Sequence, residues 1–140
     1  MIAVYRTLLY SLFLTCLFFL LGLNCSFGQV SKKTHQTIIL GNAEAIKISI
    51  KDATVEIKET KGTRILIETS ILLSVPNEAL LDFVIENGRY ELVQIMDEAS
   101  RELSIESKKD NNVIVVKGET CKEHITYTIY VPANVRSYQQ

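Results

Sequence analysis

Between residues 46 and 67 the chain alternates. Ile46-Lys-Ile48-Ser-Ile50 is followed by Val55-Glu-Ile57 and then by Ile65-Leu-Ile67, with apolar side chains at every second position. A period of two belongs to strands that turn one face to a core and the other to water. Such runs recur about every nine residues with turn-formers between them, the spacing of an all-β domain.

The same pattern extends in both directions. Strands are predicted at 37–40, 46–50, 53–58, 63–73 and 89–95, then around Leu103 and Ile105, and at 113–116 and 124–131. Gly41-Asn42, Lys61-Gly62, residues 97–100 and Gly118 mark turns, and Pro132 stops the last strand. Lys51-Asp52 is a two-residue hairpin loop by position, though it lacks the Gly such turns favour; a tight bend between stacked strands fits equally. The four apolar residues 113–116 suit a strand buried on both faces. In the last strand Ile125, Tyr127, Ile129 and Val131 share one face, and His124, Thr126, Thr128 and Tyr130 the other.

One segment departs from this period. At 77–87, Leu80, Leu81, Val84 and Ile85 form a helical stripe, while Ala79, Leu81, Phe83 and Ile85 would also alternate as a strand. The caps favour the helix. Asn77 can accept from the first turn, Glu78 complements the dipole, and Gly88 stands where a left-handed residue ends a helix.

Ahead of the β pattern lies a leader. Arg6 precedes an uncharged Leu- and Phe-rich run at 7–23, and residues 24–28 are polar or small. This is the layout of a secretory signal peptide, with Ser26-Phe-Gly28 placing cleavage between Gly28 and Gln29. An uncleaved membrane anchor and a lipid on Cys25 are the alternatives. Leu21-Gly-Leu-Asn-Cys25 approaches a lipobox, but Asn24 stands where a small residue belongs. All three place the remainder outside the cytoplasm, in the periplasm, at the outer surface or secreted. The domain map is therefore a signal peptide at 1–28, a flexible lead-in at 29–36, a β-rich domain at 37–134 and a polar tail at 135–140.

Charge and cysteine narrow the classes. Of 15 Lys and Arg, only Arg6 lies in the leader, so residues 29–140 carry 14 against 16 Asp and Glu, a difference of −2. So even a balance gives no electrostatic footprint for nucleic acid. A membrane contact would come only through a retained leader or a lipidated Cys25. Beyond the leader Cys121 stands alone, so an internal disulfide is excluded and the fold must rest on packing.

No catalytic signature emerges. Cys121-Lys-Glu-His124 is a weak metal pair, because zinc needs three or four ligands and residues three apart on a strand face opposite ways. Asp110-Asn111-Asn112 lacks the Gly and distal Glu of a calcium loop and reads as a turn. Serine elbows, phosphate loops and the His-Glu-x-x-His helix are absent from the sequence. No cofactor is implied, and Glu56 and Glu68 read as solvated strand faces. Tyrosines are better candidates, since aromatic rings on a sheet face stack on sugars or anchor partners. Tyr127 reads as core and Tyr90 as its rim. Tyr130, beside Thr126 and Thr128, is the exposed candidate.

Several stretches together resemble a known family. Val55-Glu-Ile57-Lys, Ile65-Leu-Ile67-Glu-Thr, the run from Leu80 through Glu86-Asn-Gly-Arg-Tyr-Glu-Leu92, Val113-Ile-Val-Val-Lys-Gly118 and Ile125-Thr-Tyr-Thr-Ile-Tyr-Val-Pro132 look like the front half of the bacterial secreted adhesins with β-solenoid head domains. The likeness covers about 37–134, on motifs of low specificity. It implies a stack of short β-rungs and no catalytic residues. This sequence departs from the pattern by ending at Gln140, where the family's rungs continue. On that reading the strand at 125–131 is an open edge suited to self-association.

The sequence thus predicts a mainly β chain, an open β-sandwich or short β-solenoid of antiparallel or stacked short strands with one short helix near 77–87. The expected function is a non-enzymatic, exported, adhesin-like interaction module of the bacterial cell envelope with a protein or glycan partner. The alternative is a periplasmic structural or assembly component that docks by strand addition.

Overall fold

A computed structural model describes residues 29–108 and 112–140. Within these residues, ten strands and one helix follow in the order β1 (Val30–Ile39), β2 (Ala45–Ser49), β3 (Thr54–Thr60), β4 (Arg64–Leu73), α1 (Glu78–Glu86), β5 (Leu92–Asp97), β6 (Glu102–Ser107), β7 (Ile114–Val116), β8 (Glu119–Cys121), β9 (Glu123–Pro132) and β10 (Arg136–Gln139). The chain is mainly β, and its sheets are open rather than closed into a barrel.

Alternation builds two layers. The first sheet runs β1-β4-β9-β3 and the second β10-β2-β6-β5. Ile65, Ile67, Ile71 and Leu73 of β4 and Ile125, Tyr127, Ile129 and Val131 of β9 face Ile46 and Ile48 of β2 and Leu103 and Ile105 of β6 in one buried cluster. Each such side chain contributes roughly 1.5–3 kcal/mol by leaving water. Pairing is antiparallel for β1–β4, β4–β9 and β5–β6, and parallel for β3–β9, β2–β6 and β10–β2.

The bend at Lys51-Asp52 carries the chain from β2 in one sheet to β3 in the other, so it joins stacked strands and closes no hairpin. Asp52 adopts a left-handed φ of 56° to make the corner. A later crossing, from β9 to β10, follows Pro132 and is held by Ala133 N–H donating to the Thr60 carbonyl at 3.0 Å.

The helix forms as its caps dictate. Asn77 Oδ1 accepts from Leu80 N–H at 3.0 Å. At the other end Gly88 turns left-handed at φ 70°, letting Gly88 N–H reach Ile85 O at 2.9 Å and Arg89 N–H reach Val84 O at 3.2 Å. That paired arrangement is the Schellman ending. Leu81 and Val84 are buried and Phe83 is exposed.

Four expectations change. The lead-in is a strand: β1 pairs with β4 from Val30↔Leu73 to Ile39↔Arg64, its Lys32 and Lys33 being tolerated because β1 is an edge. The apolar run at 113–116 is not sandwiched in the core. It forms a hairpin with β8 in a separate two-stranded sheet and leaves Val113 and Val115 exposed, turning through Lys117 and Gly118, both at positive φ. The polar tail supplies β10, which pairs with β2. Finally, β9 is no open edge, because β4 and β3 flank it on either side. The outer strands of the first sheet are β1 and β3, and those of the second are β10 and β5.

Candidate interaction surface

The two sides of the sandwich differ. Where β1 meets β5, Gln36 Nε2 donates to Leu92 O at 2.7 Å and Gln36 Oε1 accepts from Leu92 N–H at 3.1 Å. One side chain therefore stitches the two sheets together by acting as a strand partner for Leu92. At the start of β9 a second clasp forms. Arg89 Nε and Nη2 donate to the two carboxylate oxygens of Glu123, each at 2.8 Å, and Tyr90 Oη donates to Oε1 at 2.7 Å. The side chains of Arg89 and Glu123 are only 14% and 6% exposed. Burial, and then the bond to Glu123, push the Tyr90 phenol well above its usual value. Tyr127, whose hydroxyl donates to Tyr90 O at 3.2 Å, is pushed up to about 12, chiefly by burial.

The opposite side of the sandwich, at β3 and β10, has a different character. Ile57 of β3 belongs to the inward row, opposite Ile129, yet is 36% exposed. The second sheet does not fully cover it.

The outward face of the first sheet carries the residues singled out in the sequence. Register aligns Thr37, Leu66, Tyr130 and Lys58 in one row across all four strands, and His35, Glu68, Thr128 and Glu56 in the next. Ser70, Thr126 and Thr54 follow. Thr126, Thr128 and Tyr130 thus sit side by side on the two inner strands' outward surface. Tyr130 and Thr126 are half-buried, and Thr128, crowded by Glu56 and Glu68, is 8% exposed. Lys58 Nζ lies over the Tyr130 ring at 5.9 Å from its centroid, within cation–π range. Lys33 donates to Glu68 at 2.9 Å and holds its carboxyl below the usual value, with His35 adding to the effect. The accessible apolar part is Leu66, 46% exposed, with Ile39 nearby at the end of β1.

Leu66 was missed by sequence reading, although a signal existed: Ile65-Leu-Ile67 puts a large apolar residue at a position the alternation assigns to water. A shallow depression of about 420 Å³ opens at the foot of this face, lined in part by Asp52, Thr54, His124 and Thr126.

The weak metal pair comes apart. Cys121 is buried and accepts from Ser74 Oγ at 3.9 Å, whereas His124 is exposed. Among the described residues no group of three or more His, Cys, Asp or Glu is arranged to hold an ion. Cys25, the cleavage position after Gly28, and the turn residues Asp110 and Asn111 lie outside the described residues; Gln29 is the first within them.

No family model matches the chain, and no curated protein matches it. Two solved structures share part of its course. One is a candidate cell adhesion protein from Clostridium sporogenes, at 10% identity and a TM-score of 0.43, covering 79% of this chain and 46% of its own. The other is a candidate adhesin from Parabacteroides merdae, at 14% identity and a TM-score of 0.38, covering 77% of this chain and 35% of its own. The chain therefore spans less than half the length of either.

Proposed function

We propose that this protein is a non-enzymatic, exported, adhesin-like interaction module of the bacterial cell envelope that meets a protein or glycan partner with the outward face of its first sheet. One observation carries the reading: an exposed Leu66 abuts a Tyr130 ring on a rigid, paired strand, inside a frame of Lys58, Glu56, Glu68 and Lys33. A pre-ordered aromatic ring beside an apolar side chain loses little entropy on binding, and the surrounding charges supply orientation. Export rests on the leader-like pattern of residues 7–28.

Solid-phase binding to glycan arrays, matrix proteins and envelope fractions tests this. Wild-type protein should bind at least one class, and Tyr130→Ala or Leu66→Ser should weaken it by about tenfold or more, the effect of losing a hot-spot side chain. Background signal across all three panels rejects the proposal, as does binding that both substitutions leave intact.

A further inference from the structure

We infer that β3 is the interface for a second copy of this chain, pairing antiparallel with its counterpart across a two-fold axis at Ile57. The inference goes beyond the adhesin-like reading and does not depend on it.

The backbone sets the register first. Thr60 turns its carbonyl toward β9, where it accepts from Ala133 N–H. Because backbone groups alternate along a strand, those of Thr54, Glu56 and Lys58 also turn toward β9. Those of Val55, Ile57 and Glu59 then turn to the free side. A two-fold at Ile57 joins these groups and no others: Ile57 pairs with its own copy, and Val55 with the partner's Glu59, each as a hydrogen-bonded pair.

Charge then chooses among registers. With the axis at Ile57, each Glu56 lies directly opposite the partner's Lys58 on the outward face, in the closer, non-hydrogen-bonded kind of pair. Thr54 lies opposite the partner's Thr60. Moving the axis by one residue sets Glu56 against the partner's Glu56, or Lys58 against the partner's Lys58, and like charges in that position destabilise. A slip that mixes the faces would turn Ile57 outward. The outward residues Thr54, Glu56, Lys58 and Thr60 are therefore self-complementary in one antiparallel register.

Packing agrees at the axis. Ile57 is the large exposed apolar side chain of β3's inward row, and the axis brings two of them together at the join. The first sheets of two copies would become one continuous sheet with both Tyr130 faces on the same side. Two linked sites of this kind raise avidity without any new contact to the partner.

Two experiments on the full-length chain, extracted in mild detergent, test the interface. Ile57→Cys places two thiols across the axis at the spacing a disulfide accepts, whereas Glu59→Cys places them four residues out of register. Oxidation should link Ile57→Cys into a dimer on a non-reducing gel and leave Glu59→Cys at the wild-type level. Equal cross-linking of both, or of neither, overturns the register. In sedimentation equilibrium, Glu56→Lys should weaken dimerisation about 10- to 100-fold, because attraction turns to repulsion at both symmetric pairs. The swap Glu56→Lys/Lys58→Glu should restore it. Both positions are exposed, so the fold survives either change. A wild-type chain that sediments as a monomer throughout, or a swap that fails to rescue, refutes the proposal.

Discussion

Removing Arg89 should cost this fold more than any other single polar substitution described above. The guanidinium supplies two hydrogen bonds of 2.8 Å to a carboxylate that is 6% exposed. Arg89→Ala takes the guanidinium away from the buried Glu123 carboxylate, a loss of about 3–5 kcal/mol. That is a large share of the roughly 5–15 kcal/mol that holds a typical domain. With a urea slope of about 1–3 kcal/mol per molar, the midpoint should fall on the order of 2 M, read by far-ultraviolet circular dichroism. Tyr90→Phe removes one hydrogen bond to the same carboxylate and should cost less, about 1.5–3 kcal/mol. The triple replacement Arg89→Met/Tyr90→Phe/Glu123→Leu removes the charges and hydroxyl of these three residues together and should recover most of the loss, because packed apolar groups replace buried ion pairs at little cost. This variant keeps the test decisive if Arg89→Ala does not fold. An Arg89→Ala midpoint within about 0.3 M of wild type would refute the reasoning. So would a triple variant no more stable than Arg89→Ala.

Other outcomes follow from single contacts. Asn77→Ala should lower stability by about 0.5–2 kcal/mol through loss of the helix cap, and Asn77→Asp should largely retain it, both read from urea midpoints. Gln36→Ala leaves the Leu92 N–H and carbonyl without their partner and should cost about 1–3 kcal/mol; hydrogen exchange at Leu92 should accelerate well before that at Ile67 in the centre of the first sheet. The Glu68 carboxyl should titrate below the ordinary glutamate value by NMR and move upward in Lys33→Ala. Since its folded value is lowered, any stability it contributes is present above its unfolded value and fades as pH falls through the folded one.

Local rules read much of the fold. The inward row of β9 was visible in strict alternation, and the helix in Asn77, Glu78 and Gly88. Pattern failed where burial is one-sided in an unexpected way. Lys32 and Lys33 disguised β1 because an edge strand needs little apolar surface. The run at 113–116 looked like core because apolar content alone does not say which faces are covered. Edge identity was illegible for a deeper reason: the parallel pairings β3–β9 and β2–β6 join segments far apart in sequence, and no turn announces them. The Arg89–Glu123 clasp is hidden in the same way, its members lying 34 positions apart. At the outward face, Tyr130 was legible from parity, while its neighbours Leu66 and Lys58 required the register.

The pairing of β1 with β4 has a mechanical side. The ladder runs the full length of β1, and the chain enters at Val30, the end that lies against Leu73. A pull on the chain ahead of Val30, directed along the strand, slides β1 past β4 and loads every rung at the same instant. The same pull directed across the sheet would part the rungs one after another, at far lower force. Gln36 adds a crosswise stitch near the middle, so a peeling front that starts at Val30 must stop there and break into the second layer. Resistance to being torn away at β1 thus depends on the angle of pull.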